Sequence, residues 1–355
     1  MSVTIKGWQM VEPGKPLELR EYEAPPLKDD DVLVKVAGCG VCHTDISFLY
    51  MGVRTNSPPP LTLGHEVSGT VEDAGAEFAY LKGKEVIVPA VLPCGECELC
   101  KSGQGNACRK QKMPGNDLQG GFASHLVVPG RYMCLLDEPV PGYSLEELSV
   151  VADAVTTPYH AVKKAGVKEG DLCVHIGIGG IGTYAVQVAK AMGAHTVCLD
   201  VDQAKLDAVL EYGADVAINV RDKSPRDVKK EISALAKEKG WSALGWRIFE
   251  TSGTSKGQVL GFSLLTFTGS MSVVGFTMDK VEVRLSNLMA FDANLYGNWG
   301  CKPEYYPDVV DLIRSEKITL KPFIETHPLS EINKIVESAH KGKLTKRAIM
   351  VPDFD

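Results

Sequence analysis

Gly177-Ile178-Gly179-Gly180-Ile181-Gly182 stands between an apolar run, Leu172-Cys173-Val174-His175-Ile176, and a stretch of helical periodicity over 183–192. A short apolar run, a glycine cluster and then a helix is how a βαβ unit opens. The six residues match G-x-G-x-x-G. In such a turn the first glycine makes the bend and the second lets backbone N–H groups approach a pyrophosphate. The third allows close helix–strand packing, and the helix N-terminus favours the anion. Eighteen residues after Gly182 comes Asp200, closing the next apolar run, Thr196-Val197-Cys198-Leu199. An acid there accepts hydrogen bonds from the adenosine ribose and repels a further phosphate, which predicts NAD over NADP. The alternative is a structural glycine turn with a solvated aspartate.

Outward from this unit, strand and helix patterns keep alternating. Helical stretches at 203–212 and 227–239 separate apolar runs at 217–218, 247–249 and 272–274, which predicts an α/β doubly wound parallel sheet. The first 150 residues differ. Short strands at 32–36, 66–71 and 85–88 are broken by turn chemistry, including Pro58-Pro59-Pro60, which fits only a loop. Helices are expected to begin at 146–151 and to run over 159–165, 307–315 and 329–340, with a closing strand at 348–351. The 355 residues suit two or three domains.

A net charge of −7 makes nucleic acid a poor partner, and no apolar run reaches the ~18 residues of a membrane span. Residues 1–7 lack the apolar segment of a signal peptide, so a cytoplasmic protein with a small-molecule partner is expected. Ten cysteines in such a chain point to metal before disulfides. Cys94-x2-Cys97-x2-Cys100-x7-Cys108 offers four thiolates to one tetrahedral ion and leaves no open position, the pattern of a structural zinc. An iron–sulfur centre or a redox dithiol is the competing assignment. Cys39, Cys134, Cys173, Cys198 and Cys301 are expected only to pack.

Two further segments carry isolated candidate ligands: Val41-Cys42-His43-Thr44-Asp45 and Gly64-His65-Glu66. With the four-cysteine lobe, residues 177–182 and Asp200, in this order and spacing, the chain resembles the zinc-dependent medium-chain alcohol dehydrogenase superfamily over nearly its whole length. The resemblance implies a GroES-like β-rich catalytic domain (1–154 and 299–355, with a zinc lobe at about 93–112) around a Rossmann NAD-binding domain (155–298). It also implies two zinc ions per chain, hydride transfer from an alcohol to NAD, and a homodimer or homotetramer. Cys42, His65 and Asp153 would be catalytic-zinc ligands, with Glu66 an exchangeable carboxylate. Asp153, in Val151-Ala152-Asp153-Ala154-Val155, occupies a position where many members carry cysteine; a helix N-cap is its alternative role. Thr44 matches the hydroxyl that accepts the alcohol proton. Ser47 stands where many members have a proton-relaying histidine, which leaves the end of the relay open. His43 matches a basic position near the cofactor pyrophosphate, or is a solvated surface residue. Thr157, Gly177, Gly179, Gly180, Ile181, Gly182, Asp200, Lys205 and Val274 form the expected cofactor-binding set.

Residues 1–20 and the 50–55 loop resemble dehydrogenases acting on a cyclic acyl-CoA thioester. Arg54 and Arg109-Lys110-x-Lys112 are then candidates for its phosphates, although a charge run is also an ordinary solvated face. The alternatives are a polyol or aliphatic alcohol dehydrogenase, a zinc-free enone reductase, and a non-catalytic zinc-stabilised binding protein.

Overall fold

A computed structural model describes residues 3–354; positions 1, 2 and 355, the outermost residues expected in the catalytic domain, lie outside the described residues. The chain divides into two compact units. One holds the residues up to Thr156 with Gly300–Arg314 and those from Leu320 onward; the other holds Thr157–Trp299 and Ser315–Thr319. Residues 315–319 thus cluster with the second unit, where the Thr319 N–H donates to Gln187 Oε1 at 2.8 Å.

In the second unit six parallel strands follow the spatial order Val216–Asn219, His195–Asp200, Leu172–Ile176, Arg247–Glu250, Ser270–Val273, Asn294–Gly297. Numbered along the chain this is 3-2-1-4-5-6, the order in which the chain reverses direction beside its first strand. All five residues of Leu172–Ile176 are buried, as expected for a central parallel strand covered on both faces. Val174, Val197, Leu199, Ile248 and Trp246 meet in its core. Each fully buried aliphatic side chain contributes about 1.5–3 kcal/mol. The covering helices begin and end on local chemistry. Pro225–Lys239 starts at Ser224, whose Oγ accepts from the Asp227 N–H, and stops at Gly240 in the left-handed region.

The first unit is built on a mostly antiparallel sheet. Its order is Ile324–Pro328, Arg347–Val351, Asp31–Gly40, Glu66–Ala74, Glu85–Val88, Cys134–Leu135, with His125–Pro129 also pairing Asp31–Gly40. A second sheet joins Glu18–Glu23, Thr4–Met10 and Leu61–Thr62. The strand Glu18–Glu23 is almost wholly polar and exposed, so it carries no alternation that a sequence pattern could report. The helix expected to begin at 146–151 is a 3-10 turn, Glu147–Ala152, and the α-helix proper is Thr156–Lys164. Pro158 lacks an N–H and is tolerated only in a first turn, so that helix cannot reach back through 153. No helix among the described residues is long and apolar enough to cross a membrane.

Candidate metal centres and nucleotide turn

The strand Asp31–Gly40 leads into Cys42, which caps the helix His43–Tyr50. Gly40 pairs with Glu66 and Cys39 with Val67, so the exit of one strand lies beside the entry of the next, where His65 stands. Asp45 ties these two ends together. Its Oδ2 accepts from the Cys42 N–H at 3.0 Å and its Oδ1 from the Gly64 N–H at 3.0 Å. Asp153 places Oδ2 3.6 Å from both Cys42 Sγ and His65 Nε2. It precedes the helix Thr156–Lys164 by three residues, too far to serve as its N-cap.

Ligand bonds of 2.0–2.3 Å in a tetrahedron separate the ligand atoms by about 3.3–3.8 Å. The Cys42, His65 and Asp153 contacts fall in that interval, and with Glu66 the four residues place ligand atoms within 4.8 Å of one another. His65 is buried, and neither ring nitrogen makes a well-aligned hydrogen bond; Nδ1 lies 3.3 Å from Asp45 Oδ1. An Nδ1–H turned to Asp45 leaves the Nε2 lone pair for a metal, a donor set that fits zinc. Burial opposes protonation of this ring, but the charges of Asp45 and Cys42 and the contacts with Asp153 and Asp45 outweigh it, holding the pKa well above its usual value.

Glu66 is fully buried and gripped by Arg347: Nε donates to Oε2 at 2.7 Å and Nη2 donates to Oε1. Burial raises the Glu66 pKa while Arg347 pulls it down. Gly40 makes room for this pair, since a Cβ there would sit 2.1 Å from Glu66 Oε2. Arg347 and Asp45 received no role from the sequence. Asp45 lies in a quoted motif, whereas Arg347 is 281 residues from its partner and carries no local signal.

Thr44 Oγ1 lies 3.7 Å from Cys42 Sγ. The Ser47 hydroxyl donates to the His43 carbonyl at 2.9 Å, a bond within its own helix. His43 is exposed, and partial burial of its ring with the nearby Arg347 and His340 lowers its pKa.

In the four-cysteine lobe, Sγ–Sγ distances are 3.5 Å for Cys94–Cys108 and Cys97–Cys100, 3.7 Å for Cys97–Cys108 and 3.9 Å for Cys94–Cys100. These exceed a disulfide bond and match the edges of a tetrahedron around one zinc ion. The backbone N–H of Glu96, more than any other group, lowers Cys94 to about 6, and that of Cys100 lowers Cys97. Burial instead pushes Cys100 up to about 12 and raises Cys108, so without an ion only Cys94 and Cys97 favour the thiolate that a metal requires. The five remaining cysteines are buried, and burial pushes their thiols up, Cys134 to about 12.

In the second unit Gly177 adopts φ +88°, and a Cβ on Gly182 would sit 1.8 Å from the Gly177 carbonyl oxygen. A Cβ on Gly179 would meet nothing within 4 Å, so this turn offers an open cradle of the kind a pyrophosphate fills. Ile181 caps the helix Gly182–Ala191, and Gly180 is exposed on the turn. Asp200 closes the next strand, its Oδ2 accepting from the Ile178 N–H at 2.6 Å and its Oδ1 from the Val201 N–H at 2.7 Å. Lys205 is exposed. Thr157 is buried and its carbonyl accepts from Asn298 Nδ2 at 3.3 Å. The Val274 N–H donates to the Glu250 carbonyl at 2.9 Å.

Residues 28–138 match the alcohol dehydrogenase GroES-like domain, and residues 180–315 match the zinc-binding dehydrogenase family. The chain is 28% identical over 342 residues to an alcohol dehydrogenase of Geobacillus stearothermophilus, covering 96% of this chain and 97% of that protein. It is 29% identical over 368 residues to an NAD-dependent alcohol dehydrogenase of Sulfurisphaera tokodaii, covering 98% and 100%. The crystal structure of the alcohol dehydrogenase from Aeropyrum pernix aligns with a TM-score of 0.86 at 29% identity, over 98% of this chain and 100% of that one. A GroES-like domain joined to a Rossmann-like parallel sheet defines the class of two-domain zinc-binding dehydrogenases. Within that class, the chain belongs to the zinc-dependent medium-chain alcohol dehydrogenase superfamily.

Proposed function

We propose that this enzyme oxidises an alcohol by passing hydride to NAD, and that the substrate is 6-hydroxycyclohex-1-ene-1-carbonyl-CoA. The product is then the 6-oxo thioester, within anaerobic benzoyl-CoA degradation in the cytoplasm. The observation that carries the reaction class is the convergence of buried Cys42 and His65 with half-buried Asp153 at tetrahedral spacing. Those three residues would hold one zinc ion, with Glu66 as an exchangeable carboxylate, and Cys94, Cys97, Cys100 and Cys108 would hold a second. Bound at the first site, zinc supplies a Lewis acid that makes an alcohol proton easier to remove. Asp45 orients the His65 ring, and Thr44, beside Cys42, accepts the proton. Ser47 can pass a proton onward only after giving up its bond to the His43 carbonyl. His43, its pKa lowered by partial burial and by the nearby Arg347 and His340, would offer the pyrophosphate a ring N–H rather than a charge.

Residues 1–154 and 299–355 form the proposed catalytic domain and 155–298 the NAD domain. Gly177, Gly179, Gly180, Ile181 and Gly182 cradle the pyrophosphate, Asp200 takes the ribose, and Thr157, Lys205 and Val274 complete the cofactor contacts. The thioester assignment is supported by the resemblance of residues 1–20 and 50–55. The names of the relatives favour a second reading, a polyol or aliphatic alcohol dehydrogenase on the same centre.

Metal analysis on a sample assayed for turnover tests both readings. Two zinc ions per chain are expected, and Asp153→Ala should lose one of them together with about 100-fold or more of kcat/KM. A variant retaining both ions and full activity contradicts the ligand assignment. Faster oxidation of ethanol or sorbitol than of the thioester overturns the substrate, and a preference for NADP overturns the role of Asp200.

A further inference from the structure

A cavity of about 310 Å³ opens in the first unit, with Met10, Pro13, Val53 and Pro59 as apolar walls and Arg54 and Thr55 as polar groups. Its walls are fastened to the helix His43–Tyr50, which Cys42 caps. The Gly14 N–H donates to the Leu49 carbonyl at 2.6 Å, and the Val53 N–H to the Ser47 carbonyl at 3.3 Å. Beyond the cavity the loop is pinned again, with the Asn56 N–H donating to Asn116 Oδ1 at 2.9 Å and the Ser57 N–H to the Asn116 carbonyl at 2.8 Å. Arg54 therefore stands between two anchored points. Its side chain is exposed and forms no ion pair or hydrogen bond among the described residues. Lys110, in the other basic segment, is instead paired with Glu96 at 3.1 Å.

In a chain of net charge −7, an exposed arginine that lines a mostly apolar cavity and makes no ion pair among the described residues is a place for an anion. Its planar fork suits phosphate, and the volume is at the lower end of about 300–1,000 Å³ for ligand pockets. An eight-residue helix is about 12 Å long, so the cavity begins roughly one helix length from Cys42. We propose that this cavity receives the phosphate-bearing arm of the substrate, its apolar stretch against Met10, Val53 and Pro59 and one phosphate on Arg54. The identity of that arm rests on the thioester reading above; the cavity and its cation do not.

The experiment compares Arg54→Gln and Arg54→Lys with the parent enzyme on the CoA thioester and on the matching pantetheine thioester, which has no phosphate. Binding of free coenzyme A is followed by calorimetry in parallel. Arg54→Gln should raise KM for the CoA thioester about ten-fold more than for the pantetheine thioester, with Arg54→Lys recovering part of the loss. Coenzyme A affinity should fall by a similar factor. Equal effects on the two thioesters, or no effect, overturn the subsite. If the parent enzyme turns over neither thioester, the substrate reading fails by itself. The subsite then stands if coenzyme A still binds through Arg54, and falls if it does not bind.

Discussion

Glu66 and Arg347 form a charge pair out of contact with water, their side chains 0% and 8% exposed. Such a pair is close to neutral for stability against apolar packing, because desolvating two ions offsets most of their attraction. Removing one partner is different, since the other remains buried and charged at a cost of about 3–5 kcal/mol. Arg347→Met should therefore destabilise the fold by about that amount, and Glu66→Gln combined with Arg347→Met by clearly less than the two single losses added. Guanidinium denaturation of the four proteins measures the coupling, and simple additivity would refute it. The same pair bears on chemistry. Arg347 holds both oxygens of Glu66, the carboxylate whose ligand atom lies within 4.8 Å of those of Cys42, His65 and Asp153.

The strand Leu172–Ile176 carries both the glycine turn at its end and an unusual side chain in its middle. His175 is completely buried, stacks on Phe249 with ring centroids 5.2 Å apart, and has no hydrogen-bond partner on either nitrogen among the described residues. Burial lowers its pKa from 6.5 to about 3. The folded protein thus keeps this ring neutral while the unfolded chain takes up a proton below its ordinary pKa. Above about pH 6.5 there is no loss. Between that value and about pH 3 the unfolded state binds more protons, and stability falls with decreasing pH by about 1.4 kcal/mol per unit from this residue alone. His175→Phe should leave neutral-pH stability unchanged or improved and flatten the acid side of the Tm–pH curve. Parallel curves for the two proteins would show that the strand does not exclude the charged ring.

At the scale of the molecule, the parallel sheet ends on Asn294–Gly297, which pairs on one side only. Large apolar side chains are exposed on and around it: Phe276, Met278, Leu285, Met289 (79% exposed), Leu295 and Trp299. An apolar edge of this kind needs a cover. A second copy of this chain, as in the homodimer or homotetramer that the resemblance implies, is the cover to test. Light scattering on a sizing column should give one of those masses, and Met289→Lys with Leu295→Lys should shift it toward monomer. A parent protein that is monomeric at micromolar concentration would leave this edge without the expected partner.

How much the amino-acid sequence determined follows from how far apart the cooperating residues lie along the chain. The glycine turn is a local conformation: Gly177, Gly179 and Gly182 each sit where a side chain would block a bend, a cradle or a helix packed close against its strand. The four cysteines of the lobe span fifteen residues, so their spacing alone brought them within reach of one ion. Turn and cap residues marked most strands and helices for the same reason, and the polar strand Glu18–Glu23 was missed because pairing rather than pattern makes it a strand. The other candidate ligand set was legible only through resemblance, because Cys42 and Asp153 are 111 residues apart. Their meeting depends on the register that sets Gly40 against Glu66, and on the break at Pro158 that ends a 3-10 turn at Asp153. Arg347 reaches Glu66 because its strand pairs Ile349 with Gly40 and Met350 with Cys39. Neither register has a local signature. Sheet pairing is decided by the packing of whole faces, and only the tertiary structure shows which buried charges it brings together.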